Sequence, residues 1–507
     1  MISPLMNDRI YRTAFLLPLA MATMATYAND SILYSKAETE LARMQVIQEL
    51  FHSPALRNIM HVNSLSEVTI KGLLSPATAA KIPQLGNGGK SMTVEARSFQ
   101  HLGKSSLVWG NASYENGRKY DVVWNETSDF MQLYPYVMGD PRGGDTKYEE
   151  YRLDGGYSAR HGKLHYGVEL GYRALSEYRD RDPRPNNTVA DLYAKAGVGY
   201  AITETYALAA DINGGKYKQT NELSYFNELG AQKEYHLTGI CNDFARFSGA
   251  SNNTFFKGYG LGAALSAAPV SGYGLTATAG YQFTQREKIL TDLNRLPLHK
   301  LCINKFYANA GYITERYGIR LCGDYSQRRG NDNLFGDPSG NVYPQIGSKE
   351  QYSGSVADIS IDGYWLTASR GGFIWEIRPK ASMTMVTNKH KDSGNRLDTN
   401  DMTVCINGGT KYIFGKNMVS VKADIMYRHN ISSKTEIYSS CNENLTATML
   451  RIGEYFAKGE TAFGINAGYS RRVWGNKALT VGLSWQHGIY LGNCCDNRYE
   501  TTLAMTL

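Results

Sequence analysis

Length, composition and charge narrow the class of protein before any motif is considered. The chain has 507 residues, of which 42% are hydrophobic, and a formal net charge of +7. A mean hydropathy of −0.39 and the lack of any internal run of eighteen apolar residues exclude a bundle of membrane helices. Basic residues are interleaved with acidic ones, so the charge does not indicate nucleic-acid binding. The 51 Gly and 36 Tyr against 14 Pro are typical of an aromatic-rich β-sheet.

The N-terminus has the pattern of an export signal. Arg9 and Arg12 precede an apolar run over residues 14–25, and small residues follow up to Ala28. We therefore expect residues 1–28 to be a cleaved signal peptide, because the run is too short to span a membrane. An amphipathic anchor is the alternative, which Pro18 in the middle of the run disfavours. Cleavage at Ala28 leaves no cysteine at the new terminus, so a lipoprotein is not expected.

One helical segment follows the signal. Ser35 and Glu38 have the spacing of a capping box, and apolar residues continue at helical spacing to Phe51, before the stop at Pro54. Residues 29–62 are thus predicted to form an amphipathic helical segment. Two placements stay open: packing at the periplasmic mouth of a barrel, or a plug inside its lumen.

From position 63 to 507 the chain shows apolar and polar side chains in alternation. Leu164, Leu170 and Tyr172 lie on one face of such a segment, and Glu169 and Arg173 lie on the other. Most segments carry small or aliphatic residues in the middle and aromatic residues at the ends. A lipid-facing band flanked by two aromatic girdles has this pattern, whereas a secreted sandwich would expose polar faces around a dry core.

Connections between these segments alternate between short and long. The long ones are rich in Asn, Asp, Gly and Tyr and cover residues 117–148, 219–254, 330–350 and 433–457. With one strand added at each end, at residues 65–74 and 499–507, the count is about 18 strands, within a range of 14–18. The prediction is an all-β fold, a transmembrane antiparallel up-and-down β-barrel with long extracellular loops. The eight short turns are predicted near Gly103, Gly162, Thr205, Gly272, Arg316, Gly371, Gly415 and Gly475.

The last strand supports the same class. Tyr499, Leu503 and Leu507 belong to an alternation that continues to the final residue, although the usual terminal aromatic residue is replaced by Leu507. With its export signal and girdles, the chain resembles Gram-negative outer-membrane β-barrel proteins, and is most similar to an uncharacterised barrel family. The resemblance implies insertion into outer-membrane lipid by the barrel-assembly machinery, and it supplies no known activity.

The polar face of the predicted strands carries charges of both signs in similar numbers. A mutually neutralising ladder that stabilises the wall explains such a lining, and so does a passage for small or medium polar solutes with little charge selection. The predicted lumen-lining residues are Glu169, Arg173, Asp191, Lys195, Arg320, Asp324, Arg328, Glu376, Arg378, Lys380, Lys422, Asp424 and Arg428.

A porin-like or transport function is the main prediction, and two alternatives stay open. The helical segment ahead of a barrel is loosely similar to the long-chain fatty-acid transporters, which implies uptake of a hydrophobic substrate. The long loops, with Tyr225, Phe226, Tyr235 and His236, could instead form an adhesin or a surface for an outer-membrane lipoprotein or receptor partner.

Catalysis is not predicted. His161 and His165 flank a turn on the periplasmic side, and no Gly-x-Ser-x-Gly elbow occurs. No cofactor-binding or metal site is predicted, since the cysteine spacing fits neither zinc nor iron–sulfur ligation.

The cysteines leave one structural hypothesis. Seven of them is an odd number for an oxidising compartment. Cys241, Cys441, Cys494 and Cys495 all map to loops. A disulfide from Cys441 to Cys494 or Cys495 would join two external loops, and free thiols are the alternative.

Overall fold

The computed structural model describes residues 32–60, 63–227, 233–249, 253–340, 342–367 and 372–507. The predicted signal peptide, residues 1–28, and the predicted turn residue Gly371 lie outside the described residues.

Long β-strands dominate the described chain. In chain order they are β1 Leu65–Pro76, β2 Gly88–Leu102, β3 Ser106–Val122, β4 Met138–Gly139, β5 Gly144–His161, β6 Leu164–Arg179, β7 Arg184–Ala201, β8 Tyr206–Ser224, β9 Tyr235–Gly239, β10 Asn242–Asp243, β11 Thr254–Pro269, β12 Gly274–Leu290, β13 Leu296–Ile313, β14 Tyr317–Phe335, β15 Gln345–Thr367, β16 Phe373–His390, β17 Arg396–Phe414, β18 Asn417–Glu436, β19 Glu460–Arg472, β20 Ala478–Tyr490 and β21 Cys494–Thr506.

Eighteen of these strands form one closed antiparallel sheet. Each pairs with its neighbours in the chain, β8 pairs with β11, and β1 pairs with β21 through a register that runs from Glu67 opposite Thr506 to Leu74 opposite Tyr499. Closure leaves no strand edge unpaired, which a lipid environment requires. The short strands β4, β9 and β10 form a separate small sheet. The predicted all-β barrel of about 18 strands is confirmed.

The outer wall of the barrel is apolar. On β6, Leu164 and Leu170 are 42% and 60% exposed, whereas His165 between them is fully buried. The same alternation places an exposed Tyr, Phe or Trp near the ends of many strands, for example Tyr259 on β11, Phe306 on β13 and Trp375 on β16. These residues form the two girdles expected at the membrane interfaces.

The strands are longer than the predicted ten residues. They span 12 to 23 residues in the barrel, as β1 and β15 show. As a result the largest loops shrink to residues 123–143, 225–253, 336–344 and 437–459. The sequence pattern marks only the apolar middle of each strand, because both faces of a strand become polar once it leaves the membrane.

The N-terminal segment forms two short helices instead of one. These are α1 Ile32–Thr39 and α2 Ala42–Leu50, followed by a 3₁₀ helix, Pro54–Ile59. The predicted capping box is wrong, because Ser35 lies inside α1 and its carbonyl accepts the hydroxyl of Thr39. The break falls at Leu41, whose backbone is extended (φ −70°, ψ 150°).

Two further helices lie in the long loops. α3 Phe130–Leu133 belongs to the loop between β3 and β5, and α4 Glu443–Ala457 belongs to the loop between β18 and β19. The side chain of Asn442 caps α4 by accepting the amides of Asn444 and Leu445. Among the described residues, none of the helices is long and apolar enough to cross a bilayer.

Candidate functional site

Residues 32–60, called the plug below, lie inside the barrel. Their polar groups bind strands on all sides of the wall: Ser53 donates to Asp211 on β8 at 2.6 Å, and the amide of Ala42 donates to Glu376 on β16 at 2.7 Å. Lys36 forms an ion pair with Glu67 on β1. A segment of 29 residues can reach strands around a closed barrel only from within. All these contacts lie near the short turns, so the plug fills the periplasmic half.

Two lysines of the barrel wall bind the plug at the break between α1 and α2. The Nζ of Lys411 donates to the carbonyl of Ala37 at 2.8 Å and lies 3.1 Å from the carboxylate of Glu40. Lys422 donates to the carbonyl of Glu40 at 2.9 Å. These bonds satisfy carbonyls that the end of α1 leaves without helical partners, and a cation there is favourable to the helix dipole.

The 3₁₀ helix packs against a part of the wall where a glycine leaves the strand backbone uncovered. At Gly167 on β6, an added Cβ would lie 2.3 Å from the carbonyl oxygen of Pro54. Beside this contact, the amide of Asn58 donates to the hydroxyl of Ser158 at 3.0 Å, and its side-chain oxygen lies 3.1 Å from Nδ1 of His165. The plug backbone therefore touches the wall directly, at a point where only glycine leaves room.

The upper end of the plug carries Glu49 into a charged network. Its carboxylate binds Arg320 on β14 and lies 3.0 Å from Arg378 on β16. Both arginines also bind the fully buried carboxylate of Asp362, at 2.7 and 2.6 Å. The two guanidinium groups and the two carboxylates together carry almost no net charge, which lowers the free-energy cost of burying them.

Residues 123–143, called the lid below, cross the opposite end of the lumen. Asp129 binds Arg173 on β6 and accepts the hydroxyl of Tyr217 on β8 at 2.9 Å. Two strands further along the wall from β8, Lys288 of β12 donates to the carbonyl of Val137 at 3.0 Å. Since β4 of the lid pairs with β9, the loop 225–253 packs onto the lid. The long loops thus fold inward and cover the extracellular end.

A buried acidic cluster anchors the lid. Arg179 lies 3.3 Å from Glu126 and 2.7 Å from Asp140, with all three side chains fully buried. Burial, the nearby Glu234 and Asp140 together raise the pKa of Glu126 well above its usual range. Burial likewise raises the pKa of Glu234 to about 7. One arginine faces three acids here, so the described cluster has fewer cations than carboxyl groups.

Between plug and lid lies a cavity of about 800 Å³, called the chamber below. Glu49 and His52 of the plug form its lower boundary, and Gln132 of the lid lies at its upper boundary. Its walls come from β7, β8 and β11 to β16. Arg328 ties wall to lid by donating to the carbonyls of Met131 and Tyr134, at 2.9 and 3.4 Å. A volume of this size holds a solute of a few hundred daltons.

The charges of the chamber are not balanced. Lys305 is paired with Asp324 at 3.1 Å. By contrast, four cations have no carboxylate within 4.0 Å in the described chain, and two carboxylates have no cation within that distance. The unpaired cations are Lys195, Arg286, Arg328 and Lys380, and the unpaired carboxylates are Asp191 and Asp358.

The predicted lumen residues divide between chamber, plug and lid. Asp191, Lys195, Arg320, Asp324, Arg328 and Lys380 border the chamber. Glu376 and Arg378 bind the plug, and Lys422 reaches both the plug and Glu376, the latter at 2.9 Å.

The remaining four lie outside the chamber. Glu169 binds Arg57 of the plug at 3.2 Å, and Arg173 binds the lid. Arg428 binds Asp401 at 3.2 Å and donates to carbonyls at the end of α4, while Asp424 is hydrogen-bonded to Gln486.

The predicted histidines and cysteines have other surroundings. His165 is buried against the plug, and His161 is exposed. Cys441, Cys494 and Cys495 are all free thiols in this structure. The amide of Cys441 instead donates to the carbonyl of Cys241 at 2.9 Å. The described residues contain no group of three or more His, Cys, Asp or Glu side chains that could hold a metal.

Sequence reasoning missed the groups on plug and lid that meet the wall. Glu40 and Glu49 lie in the predicted helix but were not connected with particular wall residues, because no pattern gives a contact between distant segments. The lid residues Glu126, Asp129 and Asp140 fall in a stretch that reads as polar loop. One signal was visible for α4: Asn442 precedes Leu445, Met449 and Ile452 at helical spacing.

A closed barrel with a lipid-facing apolar wall and a charged, packed interior defines an integral outer-membrane β-barrel protein. The resemblance predicted from the sequence is confirmed. Residues 54–507 match the family described as a family of unknown function, DUF6850, and the chain belongs to that family. No curated protein matches the chain.

Solved structures similar to this chain are also outer-membrane barrels. A mutant of the ferric enterobactin receptor from Pseudomonas aeruginosa is 9% identical, with a TM-score of 0.39 and coverage of 88% of this chain and 81% of that one. The CymD monoaromatic hydrocarbon channel is 13% identical, with a TM-score of 0.31 and coverage of 91% and 92%. The copper transporter OprC is 8% identical, with a TM-score of 0.40 and coverage of 85% and 62%. Likeness at this level carries no functional argument.

Proposed function

We propose that this protein is a porin-like transport barrel that binds a small or medium polar solute in the chamber and passes it when the plug moves. The observation that carries the proposal is the chamber itself, a cavity bordered by charged side chains between a plug and a lid inside a membrane-spanning wall. A barrel that served only as a scaffold would need no cavity of this size.

The attachment of the plug suits a gate. Its polar contacts with the wall include the ion pairs of the partly exposed Glu49 with Arg320 and Arg378. Ion pairs of partly exposed groups exchange with water at modest net free-energy cost. Leu50 and Leu56 are buried in an apolar cluster that fixes the closed position. Displacement of the plug would connect the chamber with the periplasm.

The uneven charges favour anionic solutes. Lys195 and Lys380 border the chamber without carboxylate partners, as do Arg286 and Arg328. An anion bound there would pair with cations that have no carboxylate partner in the described chain. The sequence predicted a lining of mixed charge with little charge selection, and the proposal narrows this prediction to a preference for anions.

Substitution of Gly167 tests the gate. Gly167→Ala places a methyl group against the Pro54 carbonyl and should displace the plug while leaving the outer wall intact. The matched control is Gly323→Ala, at a wall position where an added Cβ meets nothing within 4 Å. Planar-bilayer recording should show low conductance for the wild type and the control, and frequent open events for Gly167→Ala.

Two results would count against the proposal. Silence of Gly167→Ala, together with silence of a chain that lacks residues 29–60, would exclude passage through the lumen. Equal conductance of all variants would exclude the plug as the gate. Heat-modifiable migration in gels would verify that each barrel is folded. The described contacts do not favour lipid uptake or partner binding by the external loops, which stay predictions.

A further inference from the structure

Five cations cluster on the outer wall above the girdle at the long-loop side. This outer basic patch comprises Lys216, Lys218, Lys257, Lys300 and Arg329, all exposed. The sheet register assigns them to the outer face, since Lys216 is directly opposite Tyr259 and Lys218 is directly opposite Lys257. Residues that face each other across an antiparallel pair project from the same side of the sheet.

The patch is poorly neutralised by the protein. Glu287 lies 2.8 Å from Lys257 and is also opposite Lys300 in the register. Among the described residues, Lys216, Lys218, Lys300 and Arg329 take part in no ion pair. Like charges directly opposite each other, as Lys218 and Lys257 are, destabilise a β-sheet unless an anion lies between them.

Some cations elsewhere on the wall are paired with carboxylates. Lys147 of β5 lies 2.6 Å from Asp180, and Lys434 of β18 lies 3.0 Å from Glu436. These cations lie near the long-loop ends of their strands, as the patch does. The unpaired cations Lys216, Lys218, Lys300 and Arg329 lie on β8, β13 and β14, within one part of the wall.

The height of the patch matches the lipid headgroup layer. Tyr259 and Phe283 are neighbours at 6.1 Å between ring centroids, and Tyr281 and Phe306 are neighbours at 4.9 Å. These aromatic rings mark the interface on the long-loop side. Lys218 and Lys257 lie one side-chain repeat beyond the Tyr259 level, about 7 Å further along the strand towards the long loops.

A groove of about 1480 Å³ lies on the same part of the wall. Lys216, Lys218 and Lys257 are among its lining residues, together with Phe255 and Ile289. An apolar floor beside a basic rim fits an amphiphile with an anionic headgroup. Because the long loops mark the cell exterior, the leaflet at this height is the outer one.

We propose that the outer basic patch binds the phosphorylated headgroup of an outer-leaflet glycolipid. The phosphates lie between Lys218 and Lys257, with Lys216 beside them, and the acyl chains extend down the apolar wall past Tyr259. The site depends on the transmembrane orientation of the barrel and is independent of solute passage.

The test uses the full-length protein in detergent micelles with bisphosphorylated lipid A and its dephosphorylated form as probes. Lys216→Gln/Lys218→Gln should weaken binding of the phosphorylated form about 10- to 30-fold, as the loss of two lysines near an anionic headgroup implies. The control Lys147→Gln/Lys434→Gln removes the same charge elsewhere on the wall and should change binding less than about twofold. Native mass spectrometry measures the fraction of the protein that carries bound lipid.

Each outcome decides the proposal. Weaker binding of dephosphorylated lipid A and persistence of the complex in excess inorganic phosphate would support a glycolipid site. Equal binding of the two lipid forms, equal losses in the two double variants, or displacement by inorganic phosphate would overturn it. The patch lies outside the lumen, so the conductance of Lys216→Gln/Lys218→Gln should match that of the wild type.

Discussion

The guanidinium of Arg179 lies 2.7 Å from the carboxylate of Asp140, and both side chains are fully buried. Arg179 ends strand β6 of the barrel wall, whereas Asp140 belongs to the lid. This pair, together with Glu126 at 3.3 Å, joins the lid to the wall. A lid that closes the extracellular end therefore depends on one arginine that balances several acids.

Arg179→Met should release the lid. Removal of the cation leaves Asp140 and Glu126 buried without a partner, which typically costs about 3–5 kcal/mol. Limited proteolysis should cleave the variant within residues 123–143, while the barrel keeps its heat-modifiable migration. Arg184→Met is the control, because the exposed pair of Arg184 with Asp182 contributes about 1 kcal/mol or less. Protection of the lid in Arg179→Met would contradict the anchoring role.

Acidic pH should tighten the lid. Burial raises the pKa of Glu234 to about 7 from its usual 4.5, and Glu126, Asp140, Arg179 and the hydroxyl of Tyr225 face this carboxyl. A carboxyl with a raised pKa in the folded state contributes stability that is complete below about pH 4.5 and is lost as the pH rises through about 7. Hydrogen exchange in residues 123–143, corrected for the intrinsic rate, should therefore accelerate over this interval.

Glu234→Gln gives the control for this pH dependence. The amide has the shape of the protonated acid but does not titrate. The rate of hydrogen exchange in the lid should therefore depend less on pH across the interval and stay close to the rate of the wild type at acidic pH. An unchanged pH profile in Glu234→Gln would assign the titration to another group.

The chamber should prefer anions once the plug is loosened. In the Gly167→Ala background, the reversal potential under a KCl gradient should indicate higher chloride than potassium permeability, because four unpaired cations face two unpaired carboxylates. Arg286→Gln/Lys380→Gln should shift the permeability ratio towards unity. Lys305→Gln/Asp324→Asn removes a neutral pair and should leave the ratio unchanged. Cation preference in the Gly167→Ala background would refute an anionic solute.

Oxidation should join Cys441 to Cys241 and not to the vicinal pair. The backbone hydrogen bond between Cys441 and Cys241 keeps the two residues adjacent in space, which a disulfide requires. Burial raises the pKa of Cys241 to about 11 and that of Cys441 to about 12, so the reaction should be slow. Peptide mapping after treatment with copper phenanthroline should find the 241–441 link. A link from Cys441 to Cys494 would restore the pairing expected from the sequence.

Local patterns predicted the wall of the barrel and not its contents. Leu164, Leu170 and Tyr172 lie on the lipid side because alternation is a property of each strand alone, and short turns can be read from single glycines such as Gly162. The positions of Glu49 and Asp129 depend on contacts between segments far apart in sequence, for which one chain carries no periodic signal. For the same reason, α1 and α2 read as one helix: the break at Leu41 is stabilised by Lys411 and Lys422 of the wall.

Glu67 connects the assembly of the barrel with the seating of the plug. Its carboxylate accepts the hydroxyl of Thr506 on β21 at 2.9 Å and binds both Lys36 of the plug and Arg97 of β2. Thr506 reaches this position only when the first and last strands pair, so barrel closure completes the set of partners that a buried carboxylate requires. Closure and plug insertion are therefore thermodynamically linked, so a barrel that closes around the plug gains stability that an empty barrel would lack.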